Sequence, residues 1–203
     1  MIKRTSKKFI DNTLSKNPNW KILDIGCGYN ANPYANYICD VQDLSDFYKD
    51  KKFIILKDKK LPFLDKEFDF VISSHVMEHV SELKFFISEL ERVSKKGYIE
   101  LPTKLEDNLV FENKKEPLWH MDFDDAENKL VITNRVQYLE PVLTVASIKK
   151  FNKVFRKSLL IELEWENNIN HEFVVTDEDK FNKTSLLVLF RKYLSKKIRM
   201  FFK

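Results

Sequence analysis

Trp20-Lys21-Ile22-Leu23-Asp24-Ile25-Gly26-Cys27-Gly28-Tyr29-Asn30 reads as a short buried strand, Lys21 to Ile25, running into a tight glycine turn. The chain has three glycines, and two of them, Gly26 and Gly28, fall in these eleven residues. Glycine is the residue for backbone that must turn with positive φ or lie against a ligand. A strand that ends in G-x-G is the usual opening of a nucleotide-binding α/β fold.

The surrounding charges say which kind of ligand. Gly26-Cys27-Gly28-Tyr29-Asn30-Ala31 fits G-x-G-x-x-A, which makes a nicotinamide dinucleotide the first candidate. Yet Ile22 to Tyr48 contains no Lys or Arg and four Asp: Asp24, Asp40, Asp43 and Asp46. A pyrophosphate is repelled by that field and a cation is favoured. S-adenosylmethionine, with a sulfonium and an ammonium group, is such a cation. A nicotinamide-dependent oxidoreductase and a non-catalytic module of the same fold are the rival readings.

A chain of 203 residues is long enough for one domain with a full core. Hydrophobic content of 43% with 33% charged residues fits a globular protein in water. Cys27 and Cys39, both in the ligand region, suggest no disulfide framework and hence a reducing, cytoplasmic setting. Residues 1–17 are basic and polar without the apolar stretch of a secretory signal, and the apolar run Leu186–Phe190 is too short to span a bilayer. The net charge of +4 is unevenly spread, because residues 185–203 carry six basic and no acidic residues. The body is therefore mildly acidic, which argues against a nucleic-acid groove across it.

Further along, Tyr37-Ile38-Cys39 reads as a second strand ending at Asp40, and Phe53-Ile54-Ile55-Leu56 as a third, closed by Lys57-Asp58-Lys59. A carboxylate at Asp40 could accept from both hydroxyls of a ribose, with Asp43 the alternate. Phe68 to Ser73 is apolar on both faces, as in a buried parallel strand. Leu83, Phe86, Ile87, Leu90 and Val93 share one face of a helix, which Lys96-Gly97 is expected to end with a glycine cap. Tyr98-Ile99-Glu100-Leu101 is a fifth strand, stopped by Pro102.

Taken in order, Leu23-Asp24-Ile25-Gly26-Cys27-Gly28, Leu61-Pro62-Phe63 with Phe68-Asp69-Phe70-Val71-Ile72, Glu78-His79-Val80 and Gly97-Tyr98-Ile99 resemble the class I S-adenosylmethionine-dependent methyltransferases, specifically the methyltransferase type 11 group. The resemblance covers about residues 20–102, with Asn30 where a third glycine is usual. It implies a Rossmann-like, seven-stranded, mainly parallel sheet flanked by helices, with a final antiparallel hairpin. It implies a cofactor site in which Asp24, Gly26, Cys27 and Gly28 line the methionine end and Asp40 binds the ribose. Asp58 would accept from the adenine amino group, the Lys59 amide would face the ring, and His75 would sit beside the transferable methyl. Small members with a continuation like Gly97-Tyr98-Ile99-Glu100-Leu101-Pro102-Thr103 often accompany bacterial cell-surface polysaccharide genes, which points to a sugar or glycan-precursor acceptor.

His75-x-x-Glu78-His79 also spells H-x-x-E-H, an inverted zinc-protease pattern. It begins at a strand end inside a methyltransferase-like frame and lacks the long helix that would bring a further ligand. Some quinone-pathway O-methyltransferases of this fold hold a divalent ion here, with a carboxylate at the position of His75. The preferred reading is that Glu78 and His79 cap and orient a helix, with no metal. A hydroxyl acceptor needs a general base, for which His75 and His120 are the candidates.

After Pro102 the pattern loosens. Trp119-His120 is a candidate acceptor contact, with a packed hairpin as the competing reading, and Lys129 to Thr133 is strand-like. Leu159–Glu164 and Glu172–Val175 read as the final antiparallel hairpin. The division expected is a methyltransferase domain over 1–184 and a basic amphipathic tail over 185–203. In that tail Lys192, Lys196, Arg199 and Lys203 fall on one helical face, and Leu187, Phe190, Leu194, Ile198 and Phe201 on another. The pattern suits peripheral contact with an anionic membrane; docking on the domain or on a second subunit competes with it.

Overall fold

The structure, a computed structural model, describes residues 1–114, 117–175 and 184–201. The chain opens with a short strand, β1 (Ile2–Arg4), and a helix, α1 (Lys7–Ser15), whose first turn is capped by the Ser6 hydroxyl accepting from the Phe9 amide. Then come β2 (Ile22–Ile25), β3 (Tyr37–Asp40), β4 (Lys52–Ile55) and β5 (Phe70–Ser74). A single 3₁₀ turn at Met77–His79 leads to helix α2 (Leu83–Val93) and strand β6 (Lys96–Pro102).

These strands form a seven-stranded sheet together with β9 (Leu160–Glu166), in the order β1-β9-β6-β5-β2-β3-β4. Neighbours from β6 through to β4 are parallel. β2 is buried along its whole length because both faces are covered. On one face Leu23 and Ile25 join Leu83, Phe86, Ile87, Leu90 and Val93 of α2. On the other Ile22 joins Ile10 and Leu14 of α1, with Phe70, Ile72 and Tyr98. The alternation along each strand thus assigns its side chains to two separate cores, and each fully buried Leu or Ile contributes about 2 kcal/mol.

Two expectations are corrected here. Gly97 does not cap α2. That helix ends at Ser94, whose amide donates to the Leu90 carbonyl, and Gly97 lies inside β6. A β-carbon there would sit 2.6 Å from the Val71 carbonyl oxygen and 2.5 Å from the Trp165 indole nitrogen, so this glycine is a packing requirement. The final hairpin also differs. β9 is antiparallel to β6 as expected, but the strand beyond it is β1, pairing Ile2 with Trp165 and Arg4 with Leu163. The expected second strand instead forms β10 (His171–Phe173), parallel to β8 (Lys129–Asn134) in a separate sheet of order β10-β8-β7, where β7 is Trp119–Asp124. Ile2 is fully buried at the sheet edge, and burial of that apolar residue decides the competition for the edge.

Helix α3 (Lys104–Leu109), capped by the Thr103 hydroxyl, follows β6, and helix α4 (Val145–Leu159), capped by Thr144, precedes β9. α4 is interrupted at Phe155, whose φ and ψ are −107° and 20°. The last described element, α5 (Leu186–Phe201), is joined to the body through Thr184, which exchanges backbone hydrogen bonds with Tyr138 and Glu140. Its apolar side chains are exposed, Leu187 by 79% and Phe190 by 60%, so among the described residues this helix does not dock on the domain. Phe202 and Lys203, expected in the same helix, lie outside the described residues.

Candidate active site

The strand order leaves β2 in one direction toward β3 and β4, and in the other toward β5 and β6. Ligands of open α/β sheets sit outside the carboxyl ends of the strands at such a reversal. A cavity of about 600 Å³ opens there, with Asp24, Gly26, His75, Glu78, Glu100 and Glu106 in its lining. Another hollow, of about 850 Å³, is formed by α5 side chains alone and has no part in this site.

One end of the cavity is the glycine turn. Gly26 has φ of +65°, donates to the Cys39 carbonyl at 2.8 Å, and leaves no room for a side chain, since a β-carbon would meet Val76 Cγ2 at 2.4 Å. The Gly28 amide donates to Asp40 Oδ2 at 2.9 Å. The Tyr48 hydroxyl staples the loop, donating to the Gly28 carbonyl at 2.8 Å and accepting from the Ala31 amide at 3.0 Å. Asp24 is only 4% exposed, and its Oδ2 accepts from the Asn32 amide at 2.7 Å. Burial pushes its pKa up to about 6, and the Asn32 amide and the more distant Lys7 and Lys51 only partly offset that. Burial likewise pushes the Cys27 thiol up to about 12 and the Cys39 thiol well above its usual range, so neither is a nucleophile.

The other end is built from β5 and β6. The pairing of Ser74 with Glu100 sets the two strand ends level, and the His75 amide donates to the Glu100 carbonyl at 2.9 Å. His75 follows with φ of +55°, a left-handed conformation rare in non-glycine residues and typical of strained functional positions. Its Nδ1 lies 3.5 Å from Glu78 Oε1 and its Nε2 3.5 Å from Glu100 Oε1, with 40% of the side chain still accessible. Burial opposes charge on the ring, but the Glu100 and Glu78 carboxylates outweigh it and raise the pKa to about 10. At neutral pH His75 is an imidazolium.

Glu100 itself is buried, which works against ionisation, yet His75, Tyr98 and Arg156 together hold it down at about 2. The Tyr98 hydroxyl lies 2.7 Å from Glu100 Oε2 and 2.9 Å from Glu162 Oε1, and its own ionisation is pushed far up by burial and those carboxylates. Arg156, just past the break in α4, contacts Glu100 and reaches Glu162 at 3.0 Å. Glu106, from α3, is 5% exposed, and burial raises it to about 7. Among the described residues Oε2 of Glu106 and Oε2 of Glu78 have no hydrogen-bond partner.

The residues singled out from the sequence therefore separate. Asp24, Gly26, Cys27 and His75 line one cavity, and Gly28 and Asp40 are bonded to each other beside it. Asp58 and Lys59 follow β4 and do not line it; the Lys59 ammonium pairs with Glu82. His120 does not reach the cavity lining. It is 3% exposed, its Nε2 lies 2.8 Å from Asp107 Oδ2, and Arg135 meets the same oxygen at 2.8 Å. Trp119 is tied down by its indole nitrogen donating to the Val80 carbonyl and packs on Phe173, so the Trp119-His120 pair belongs to a packed hairpin. Among the described residues no group of three or more His, Cys, Asp or Glu is placed to hold a metal ion. Glu100, Glu106 and Arg156 were not foreseen as site residues. The one available signal was a charged Glu100 inside an otherwise apolar strand.

Residues 23–99 match the methyltransferase domain family. An uncharacterized protein of Methanocaldococcus jannaschii is 29% identical to the chain, over 70% of this chain and 77% of that one. Among solved structures, an S-adenosylmethionine-dependent methyltransferase of Aquifex aeolicus matches with a TM-score of 0.39 and 16% identity, over 76% of this chain and 88% of that one. The methyltransferase CalH, solved with S-adenosylhomocysteine, matches with a TM-score of 0.40 and 17% identity, over 47% of this chain. The chain covers 35% of CalH. The buried Asp24 carboxylate, with a single amide bonded to it and a place in the cavity lining, suits a cationic cofactor. The residues present fit S-adenosylmethionine.

Proposed function

We propose that this chain transfers a methyl group to a small polar acceptor, a sugar or cell-surface glycan precursor, held between the carboxyl ends of β5 and β6 and the covering helices α3 and α4. The observation that carries the reading is the burial of Asp24 against the Gly26 turn, with a pKa raised to about 6 and no ion pair to a cation among the described residues. Asp24 and the Gly26–Gly28 backbone hold the methionine end of the cofactor. Asp40, already oriented by the Gly28 and Gln42 amides, takes the ribose hydroxyls with its free lone pairs. Asp58 and the Lys59 amide take the adenine edge. S-adenosylmethionine, when bound, supplies an electrophilic methyl on sulfur.

The acceptor is held by groups that suit hydroxyls. Glu78 and Glu106 each offer an unpartnered oxygen, and Asn113 and Asn152 line the same cavity. We assign the proton-accepting role to Glu106 rather than to a histidine. His75 is already protonated at neutral pH, and His120 lies outside the lining. Glu106, at about 7, can take a hydroxyl proton near physiological pH. His75 instead fixes Glu78 and Glu100 on either side of the cavity, and its charge is matched by theirs. We place the reaction in the cytoplasm, which suits two buried free cysteines, with residues 1–184 as the catalytic unit and 185–203 as an appended tail.

Calorimetry with S-adenosylhomocysteine and with NAD tests the cofactor assignment. Binding of the first and not of the second is expected; NAD binding in its place would make this an oxidoreductase site. Incubating the protein and radiolabelled S-adenosylmethionine with a bacterial sugar-nucleotide pool then tests the acceptor class. Label confined to protein or nucleic acid would contradict a small acceptor.

A further inference from the structure

Among the described residues nothing covers the helix α5. Leu187 and Phe190 are 79% and 60% exposed, and Tyr193, Leu194, Ile198 and Met200 expose between 43% and 64%. At 100° per residue, Leu186, Leu187, Leu189, Phe190, Leu194 and Ile198 fall on one half of the helix. Arg191, Lys192, Lys196 and Arg199 fall on the other half, where they edge the hollow of about 850 Å³. Among the described residues Lys197 is the one cation within the apolar half, near its middle, and its ammonium lies 5.8 Å from the Tyr193 ring centroid, a place from which a long side chain can carry its charge out to the headgroups.

We propose that α5 lies in the plane of an anionic lipid surface, apolar half down, with its cations among the headgroup phosphates. Charge selects this occupant. Residues 185–203 contain six basic residues and no acidic one, in a chain whose remainder sums to −2, from +4 less 6. A second copy of the helix would bring like charges together with no carboxylate to pair them, whereas an anionic bilayer supplies both the apolar phase and the counter-charge. The described helix does not span. Sixteen residues rise about 24 Å, short of a hydrocarbon core of about 30 Å, and no described helix is long and apolar enough to cross. The anchorage through Thr184 holds the start of the helix to the body, so the lipid contact also orients the domain.

Flotation of the full chain with vesicles tests the proposal. It should float with equal parts phosphatidylcholine and phosphatidylglycerol at low salt, and not with phosphatidylcholine alone. Lys192→Ala and Lys196→Ala should each weaken partitioning about fivefold, and high salt should weaken it further. Phe190→Asp with Leu194→Asp should abolish it. Because these side chains are exposed, each variant should keep the parent's melting temperature and its calorimetric affinity for S-adenosylhomocysteine, which separates failure here from failure of the cofactor site. The proposal is overturned if the full chain ignores anionic vesicles at low salt, or if it floats equally with neutral ones. It is also overturned if ending the chain at Thr184 lowers the melting temperature or dissolves a dimer, since either shows that the apolar half is covered by protein.

Discussion

Asp24 and Glu100 are both buried carboxylates facing one cavity, and their surroundings push them in opposite directions. Asp24 sits at the end of β2 with one backbone amide, and burial lifts it to about 6. Glu100 sits in β6 with an imidazolium, a phenol and a guanidinium, and they hold it at about 2. A buried carboxylate whose partners are supplied by the fold is part of the structure. One left short of a partner is waiting for a ligand. The difference is the ground for the proposal that Asp24 takes the cofactor's positive end while Glu100 serves as scaffold.

Removing the partners of Glu100 gives the largest expected effect. Arg156→Met leaves Glu100 and Glu162 facing each other with the guanidinium gone, and should destabilise the fold by about 3 kcal/mol, the lower end for breaking a buried pair because Arg156 is partly exposed. Denaturant melts check this; a loss below about 1 kcal/mol would show that Glu100 does not depend on Arg156. Asp24→Asn should do the reverse to the free protein. A folded pKa of about 6 against an ordinary 3.8 means the unfolded chain ionises first, so stability falls as pH rises from about 4 to about 6. The asparagine keeps an oxygen for the Asn32 amide and loses that penalty. At pH 7 it should be more stable by up to about 3 kcal/mol, and the two melting curves should converge near pH 4. A variant less stable than the parent at pH 7 would show that Asp24 already has a cationic partner.

How much of this was legible beforehand follows the same division. The β2–β3 end is local: strand, glycine turn and Asp24 lie within a few residues, and Asp40 follows at the next strand end, so their spacing alone brings them together. The β5–β6 end is not local. Glu100 meets His75 through the register that pairs it with Ser74, and Arg156, beside the irregularity of α4 at Phe155, meets both Glu100 and Glu162 across 56 and 6 residues of chain. No periodicity encodes those meetings. The edge partner of β9 was missed for a related reason, since a three-residue strand at Ile2–Arg4 is too short to show alternation. Gly97 was read as a cap because its need is a close approach to Trp165, a residue 68 positions away. His120 looked available in the sequence, and only the fold shows its ring against Asp107 and Tyr138.

Smaller effects sharpen the adenine assignment. Asp58→Ala removes a carboxylate from an exposed loop and should weaken S-adenosylhomocysteine by about 1 kcal/mol, with no change in melting temperature. If the inosine analogue binds the parent as tightly as the adenosine form, Asp58 does not read the base.

The proposal that Asp24 takes a cationic cofactor is tested by titrating S-adenosylmethionine into the parent and into Asp24→Asn by calorimetry between pH 5 and 8. A cation bound against Asp24 favours the ionised carboxylate, so the parent's affinity should hold at pH 7 to 8 and fall by up to tenfold per unit below about 6. The asparagine variant, more stable but without the charge, should bind more weakly at pH 7 and show no such fall. Equal affinities for the two proteins across that range would contradict the assignment of Asp24 to the cofactor.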